Sequence, residues 1–296
     1  MDNIVTHAQD FFRDERVGSS KAMARSLWNR VLSTICIVLS LLTLVPLISI
    51  VYLVLKNGLP LLSWSIFTTL PPAAGMVGGG FGNAVLGTIV MVGLGLVISA
   101  PIGILSAIYI NEYSPASHLA AAVRIVAKLL TGIPSIICGV FAFAAVVATT
   151  GTFSAYAGGV ALAVLMLPTI LLTSEQALLG VQNAYREASY GLGATKFQTI
   201  LRVVLPDALP AVMTGIMLAV ARAAGETAPL IFTALFSQFW AKSLSEPTAS
   251  ISVLIYNFST MPFPYQLQMA WTASLVLVAF VTVANILSQL VFSKKH

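Results

Sequence analysis

Only 8% of the 296 residues are charged and 58% are hydrophobic, whereas soluble domains carry roughly 25% charged residues, so the chain is read as an integral membrane protein and not as a soluble enzyme or binding module. A formal charge of +5 would suit nucleic acid, but the basic residues sit at the ends of apolar runs, where membrane topology places them, and no nucleic-acid partner is implied. Cys36 and Cys138 each lie in an apolar run without a CxxC or CxxH neighbour; both are read as small buried hydrophobes, and no metal site is expected.

A spanning helix needs about 20 mostly apolar residues. Residues 1–30 form a charged N-terminal tail, and residues 31–55 the first span. That run is too long for a signal-peptide core and lacks an A-x-A cleavage pattern, so it is expected to stay in the mature protein. Residues 56–83 form a loop ending in Gly78, Gly79, Gly80 and Gly82. The cluster lacks the Lys-Ser/Thr of a phosphate-binding P-loop and is read as a flexible entry into the second span. The membrane core then occupies residues 84–292, with spans predicted at 84–110, 129–149, 155–179, 211–236 and 269–292, the fifth of the six spans interrupted by Arg222 and Glu226. Residues 180–210 form a charged loop, and residues 293–296 a short tail. The prediction is an all-α membrane protein of six transmembrane helices.

Orientation follows the Lys and Arg residues, because cytoplasmic flanks retain positive charge. Arg13, Arg16, Lys21, Arg25 and Arg30 precede the first span, Arg124 and Lys128 join spans two and three, Arg186, Lys196 and Arg202 join spans four and five, and Lys294 and Lys295 follow the sixth. The opposite loops hold only Lys56 and Lys242. Both termini and the 180–210 loop are therefore expected in the cytoplasm, while Trp240, Tyr256, Phe258 and Tyr265 are read as an external interfacial belt or docking surface.

The 180–210 loop reads as helix, bend at Gly191 and Gly193, second helix, and a stop at Pro206. A basic apolar hairpin of this kind can lie along the bilayer. Small residues Ala184, Ala188 and Ser189 beside Glu187 favour close docking into a protein groove instead.

"EASYGLG" followed by "VVLP" resembles the EAA motif of permease subunits in ATP-binding-cassette importers. Glu187, Ala188, Gly193, Leu205 and Pro206 fit that pattern directly, with Ser189 where a second Ala is usual and Val203 where Ile is usual. The resemblance implies a type I importer permease fold and a coupling helix that sits in a cleft of a separate ATPase. Glu187 would pair with groups on the ATPase, Ala188 and Ser189 would allow close approach, and Gly193 would set the angle between two short helices. "ARAAGETAPLIFTALFSQFW", "GGGFGNAVLGTI", "IYINEYS" and "YREASYGLGATK" are similar to the phosphate-importer permeases, from about Trp28 onward. Leu172 departs from that pattern, standing where a basic residue is expected. The resemblance implies four partners: a second permease subunit, an ATPase dimer, an external phosphate-binding protein and membrane lipid. The setting it implies is a bacterial-type inner membrane.

If the fifth span starts near Ala211, Arg222 lies about 17 Å along it, near mid-membrane, at a cost of roughly 2.5 to 3.5 kcal/mol unless partnered. Glu226, four residues on, is the nearest partner, although Arg preceding Glu is the weaker orientation for such a pair. Two readings stay open: a structural pair, or Arg222 as counter-charge for a passing oxyanion with Glu226 holding it between visits. Thr227 adds a hydroxyl to this path, or else bonds its own backbone. Glu175 is read as interfacial, and His7, His118 and His296 as dispersed and solvated. No catalytic residue and no cofactor is assigned to the chain; without GxxxxGK[ST], ATP and Mg belong on the partner ATPase. The expected function is the permease of an ATP-driven inorganic phosphate importer. A molybdate or sulfate importer is the nearest alternative, and a secondary transporter or an intramembrane enzyme the more remote ones.

Overall fold

The structure is a computed structural model describing residues 2–292. Lys294, Lys295 and His296 of the predicted tail lie outside the described residues, as do the side chains of His7, Arg13, Arg16 and Lys21. All regular elements among the described residues are helical, and the chain divides into two units, residues 1–55 and 56–296.

The first unit is one helix, α1 (Asp2–Gly58), whose last residues enter the second unit. Between Trp28 and Leu61 the most apolar 18 residues have a mean hydropathy of 2.7, and 6% of them are buried. The predicted 1–30 tail is helical from Asp2 and runs into the span without a break. Cys36, expected to be buried, is exposed on a helix without a distinct apolar face.

The second unit contains α2 (Gly82–Tyr113), α3 (His118–Gly132), α4 (Ser135–Thr150), α5 (Ala155–Leu179), α6 (Asn183–Gly191), α7 (Lys196–Ala224), α8 (Ile251–Ser259) and α9 (Pro264–Phe292). Five helices of the described chain are long and apolar enough to cross a membrane, and the number becomes six when α3 and α4 are taken as one broken span. The predicted third span at 129–149 is thus not one rod. The two helices meet at 106°, because Pro134 drives the preceding residue out of the helical region: Ile133 is extended, at φ −73° and ψ 134°.

The centre of this unit is α5, 67% buried along its apolar stretch. It packs along α2 on small residues, as membrane helices do when nothing but close contact drives them together. A Cβ at Gly103 of α2 would lie 2.9 Å from Ile170 Cγ2, and one at Gly159 of α5 would lie 2.6 Å from Leu94 Cβ. Met91, Leu162, Met166, Ile170, Val212 and Ile216 form the core between α2, α5 and α7. A second cluster around Phe81, Leu254, Phe258 and Met269 joins α8 and α9 to the start of α2. Phe258, predicted to belong to a surface belt, is fully buried there against Phe236, while Tyr256 stays exposed. The glycine run before α2 is also not a loose entry. Gly80 N–H bonds Leu70 O at 3.0 Å, and a Cβ on Gly80 would meet Ile66 O at 2.5 Å.

Helix α7 differs most from expectation. It starts at Lys196, fifteen residues before the predicted Ala211, and ends at Ala224 instead of continuing to Phe236. Pro206 does not stop it. A proline clashes with the carbonyl four residues back and donates nothing, and here the preceding residues Ile200–Val204 widen into a π turn, with Leu205 N–H bonding Ile200 O five residues back. That one extra residue per turn absorbs the proline.

Candidate functional site

Two regions carry the predicted functional residues, the 180–210 loop and the turn after α7. In the loop, Glu187 and Ala188 are exposed on α6, and among the described residues Glu187 has no ion-pair partner. Ser189 is placed differently from the expectation that it meets a partner. It is 8% exposed, and its hydroxyl lies 2.9 Å from that of Thr199 in α7. Ser189 therefore ties the two helices of the loop together.

The bend between them is set by Gly193, in the left-handed region at φ +81°, with its N–H on Tyr190 O at 2.9 Å; glycine adopts this backbone at no steric cost. Thr195 then caps α7, its hydroxyl accepting from Gln198 N–H and its own N–H bonding the Gln198 side chain at 2.9 Å. Leu192 is 90% and Phe197 64% exposed, so the loop that carries Glu187 also presents large apolar side chains. Leu205 is half-buried and Pro206 exposed, both within α7 rather than beyond it.

The residues that fix this loop to the bundle were not singled out in the sequence. Arg186, the neighbour of Glu187, turns inward with its side chain 14% exposed, and Glu112 in the last turn of α2 is 6% exposed. The guanidinium grips the carboxylate at two points, Nη2 to Oε1 at 2.7 Å and Nε to Oε2 at 3.3 Å. It also donates to the end of α5 and the turn after it, at Leu178 O (2.9 Å) and Val181 O (2.7 Å). A second pair lies alongside. Arg124 of α3 bonds Glu175 of α5, with further bonds to Ile110 O at 2.9 Å and Pro115 O at 3.0 Å. Glu175 is 4% exposed, so it is a buried ion-pair partner and not interfacial. The one available signal was that Glu112 and Glu175 stand near the ends of long apolar helices in a chain with few charges.

At the second region, Arg222 occupies the last turn of α7, where the helix dipole favours a cation. Gly225 and Glu226 leave the helix, their N–H groups bonding Arg222 O and Ala223 O at 3.2 Å. Arg222 Nε and Glu226 Oε1 are 3.7 Å apart, beyond hydrogen-bond reach, with the side chains 44% and 17% exposed. The pair is loose, and Glu226 sits past the helix end, not one turn along it. Thr227 follows, half-buried, its carbonyl accepting from Leu230 N–H at 3.1 Å. The turn is braced from two sides: Ser252 of α8 donates to Glu226 O at 2.7 Å, and Gly139 of α4 lets that helix press on Pro229. Arg222 is thus presented on a rigid turn, with its guanidinium only lightly engaged.

Residues 99–295 match the model of the family described as "Binding-protein-dependent transport system inner membrane component". The chain is 38% identical over 275 residues to the phosphate transport system permease protein PstA of Yersinia pestis, covering 92% of this chain and 93% of that one. It is 38% identical over 246 residues to PstA of Haemophilus influenzae, covering 83% and 87%. It also resembles, at 35% identity over 81% of its length, a probable PstA of Methanocaldococcus jannaschii, covering 85% of that protein. Among solved structures, a bacterial alginate ABC transporter in complex with a periplasmic protein superposes with TM-score 0.61 at 19% identity, over 89% of this chain and 96% of that chain. The methionine transporter MetNI superposes with TM-score 0.56 at 22% identity, over 71% and 91%. These likenesses carry the fold.

Proposed function

The chain belongs to the family of binding-protein-dependent inner membrane transport components, and from that premise we propose that it is the permease subunit of an ATP-driven importer of inorganic phosphate. The observation carrying the substrate is the extent of the likeness to phosphate permeases, which spans 92% of the chain and so includes the spans and outer loops as well as the ATPase-facing motif.

In this reading the basic end of the bundle faces the cytoplasm, where the exposed Glu187, Ala188, Leu192 and Phe197 dock on a separate ATPase. Gly193, with Leu205 and Pro206 on the following helix, aims that surface. The Ser189–Thr199 bond keeps the two helices of the loop at a fixed angle, so that ATPase closure moves α6 and α7 together. A second permease completes the path, and an external phosphate-binding protein delivers the anion. Arg222 supplies the positive charge that offsets the lost hydration of phosphate. The 3.7 Å spacing to Glu226 supports this role, because a guanidinium not committed to a short two-point bond is free to exchange partners. Thr227 stands next to it as a hydroxyl donor.

The test is uptake of labelled phosphate by the reconstituted complex with sulfate and molybdate as competitors. Inhibition by unlabelled phosphate alone is expected. Transport of sulfate or molybdate in place of phosphate would transfer the chain to the importers of those oxyanions.

A further inference from the structure

We propose that the Glu112–Arg186 ion pair is a positioning device that makes α2 move with the 180–210 loop, so that ATPase closure reaches α2 as well as α7. The proposal rests on reading α6 as the coupling helix.

Covalently, α6 is joined only to α5 and α7; Glu112 is 74 residues away from Arg186 in the chain. A nine-residue helix is not stable alone, so what moves with it is decided by its side-chain ties. Arg186 makes the strongest of them. Its planar fork meets the carboxylate at two points, a geometry that fixes orientation as well as distance. The carboxylate is itself held by Asn111 Nδ2 on Oε1 at 2.8 Å.

The last turn of α2, Tyr109–Tyr113, is a π turn that gathers two further ties. Lys196 of α7 lies 5.1 Å from the centroid of the Tyr113 ring, so the second helix of the loop rests on the residue next to Glu112. Arg124 donates to Ile110 O in the same turn while pairing with Glu175 of α5. Both helices of the loop, and α5 with them, thus converge on five residues of α2. A charge on an exposed surface would serve docking; these two side chains are only 14% and 6% exposed, and a carboxylate and a guanidinium so largely withdrawn from water persist only when paired.

The experiment uses the complete complex reconstituted with its binding protein, and reads phosphate taken up per ATP hydrolysed. The double variant Glu112→Gln, Arg186→Gln leaves no unpaired buried charge, so normal assembly is expected; its uptake per ATP should fall roughly threefold to tenfold while ATP hydrolysis continues. Arg186→Lys, which keeps the charge but not the two-point grip, should fall between the two. A ratio in the double variant equal to that of the unaltered chain would overturn the proposal, reducing the pair to charge balance. Failure of the double variant to assemble would also overturn it, making this a folding pair. Glu187→Lys separates the underlying reading: if that variant still binds the ATPase and couples normally, α6 is not the coupling helix. Loss of coupling in Glu187→Lys with a normal ratio in the double variant counts against the clamp alone.

Discussion

Replacing Gly193 isolates the conformational demand of the bend from any packing demand. Its φ is +81°, and a Cβ built there has no atom within 4 Å, so within this chain the whole cost of a side chain is backbone strain. An L-residue in the left-handed region costs about 1 to 2 kcal/mol, least for Asn and most for a β-branched residue. At 1.4 kcal/mol for each factor of ten, Gly193→Ala should lower the population of the bent loop roughly fivefold to tenfold, and Gly193→Val roughly tenfold to thirtyfold, with Gly193→Asn close to the unaltered chain. Because the site is exposed and outside the core, membrane levels should not change. The assay is co-purification of the ATPase with the solubilised permease, followed by ATP-driven phosphate uptake, with activity expected in the order Gly, Asn, Ala, Val. Full uptake in Gly193→Val would refute the role of the bend. Equal loss in Asn and Val would show that a partner excludes any side chain there, and that backbone strain is not the cause.

Three other predictions follow from single contacts. Gly87→Ala drives a methyl into the backbone carbonyl of Ala249, whereas Gly93→Ala meets nothing within 4 Å; the first should lose about 1 to 3 kcal/mol or more and fall in membrane level, and the second should be unaffected, as read by quantitative immunoblot. Arg222→Gln should abolish uptake at normal membrane levels, and adding Glu226→Gln should give no rescue; uptake recovering in the double variant would falsify the substrate-path role and leave a structural pair. A reporter fused after His296 should be active only in the cytoplasm, since 12 of the 15 Lys and Arg residues fall on the proposed inner side.

Apolar length made the spans legible, and α5 covers the same residues, Ala155–Leu179, that the sequence marks. Prolines were harder, since their effect depends on what the neighbouring turn does. Pro134 breaks a span because Ile133 becomes extended, while Pro206 is absorbed because Ile200–Val204 widen to a π turn. Hydropathy reports neither outcome. In the loop, the exposed Glu187 and the left-handed Gly193 were readable from motif spacing, but the inward turn of Ser189 was not, since a small residue suits either face of a helix. The two Arg–Glu pairs were hidden for a different reason. Their partners are 51 and 74 residues apart in the chain, and no local pattern records which helices meet.

Complementation tests the central claim most directly. In cells whose own phosphate permease subunit has been deleted, this chain, expressed with its partner permease, ATPase and binding protein, should restore uptake of labelled phosphate from micromolar medium, while the same set lacking this chain should not. Restoration of sulfate or molybdate uptake instead, or phosphate uptake that is independent of the chain, would contradict its assignment as a phosphate-importer permease.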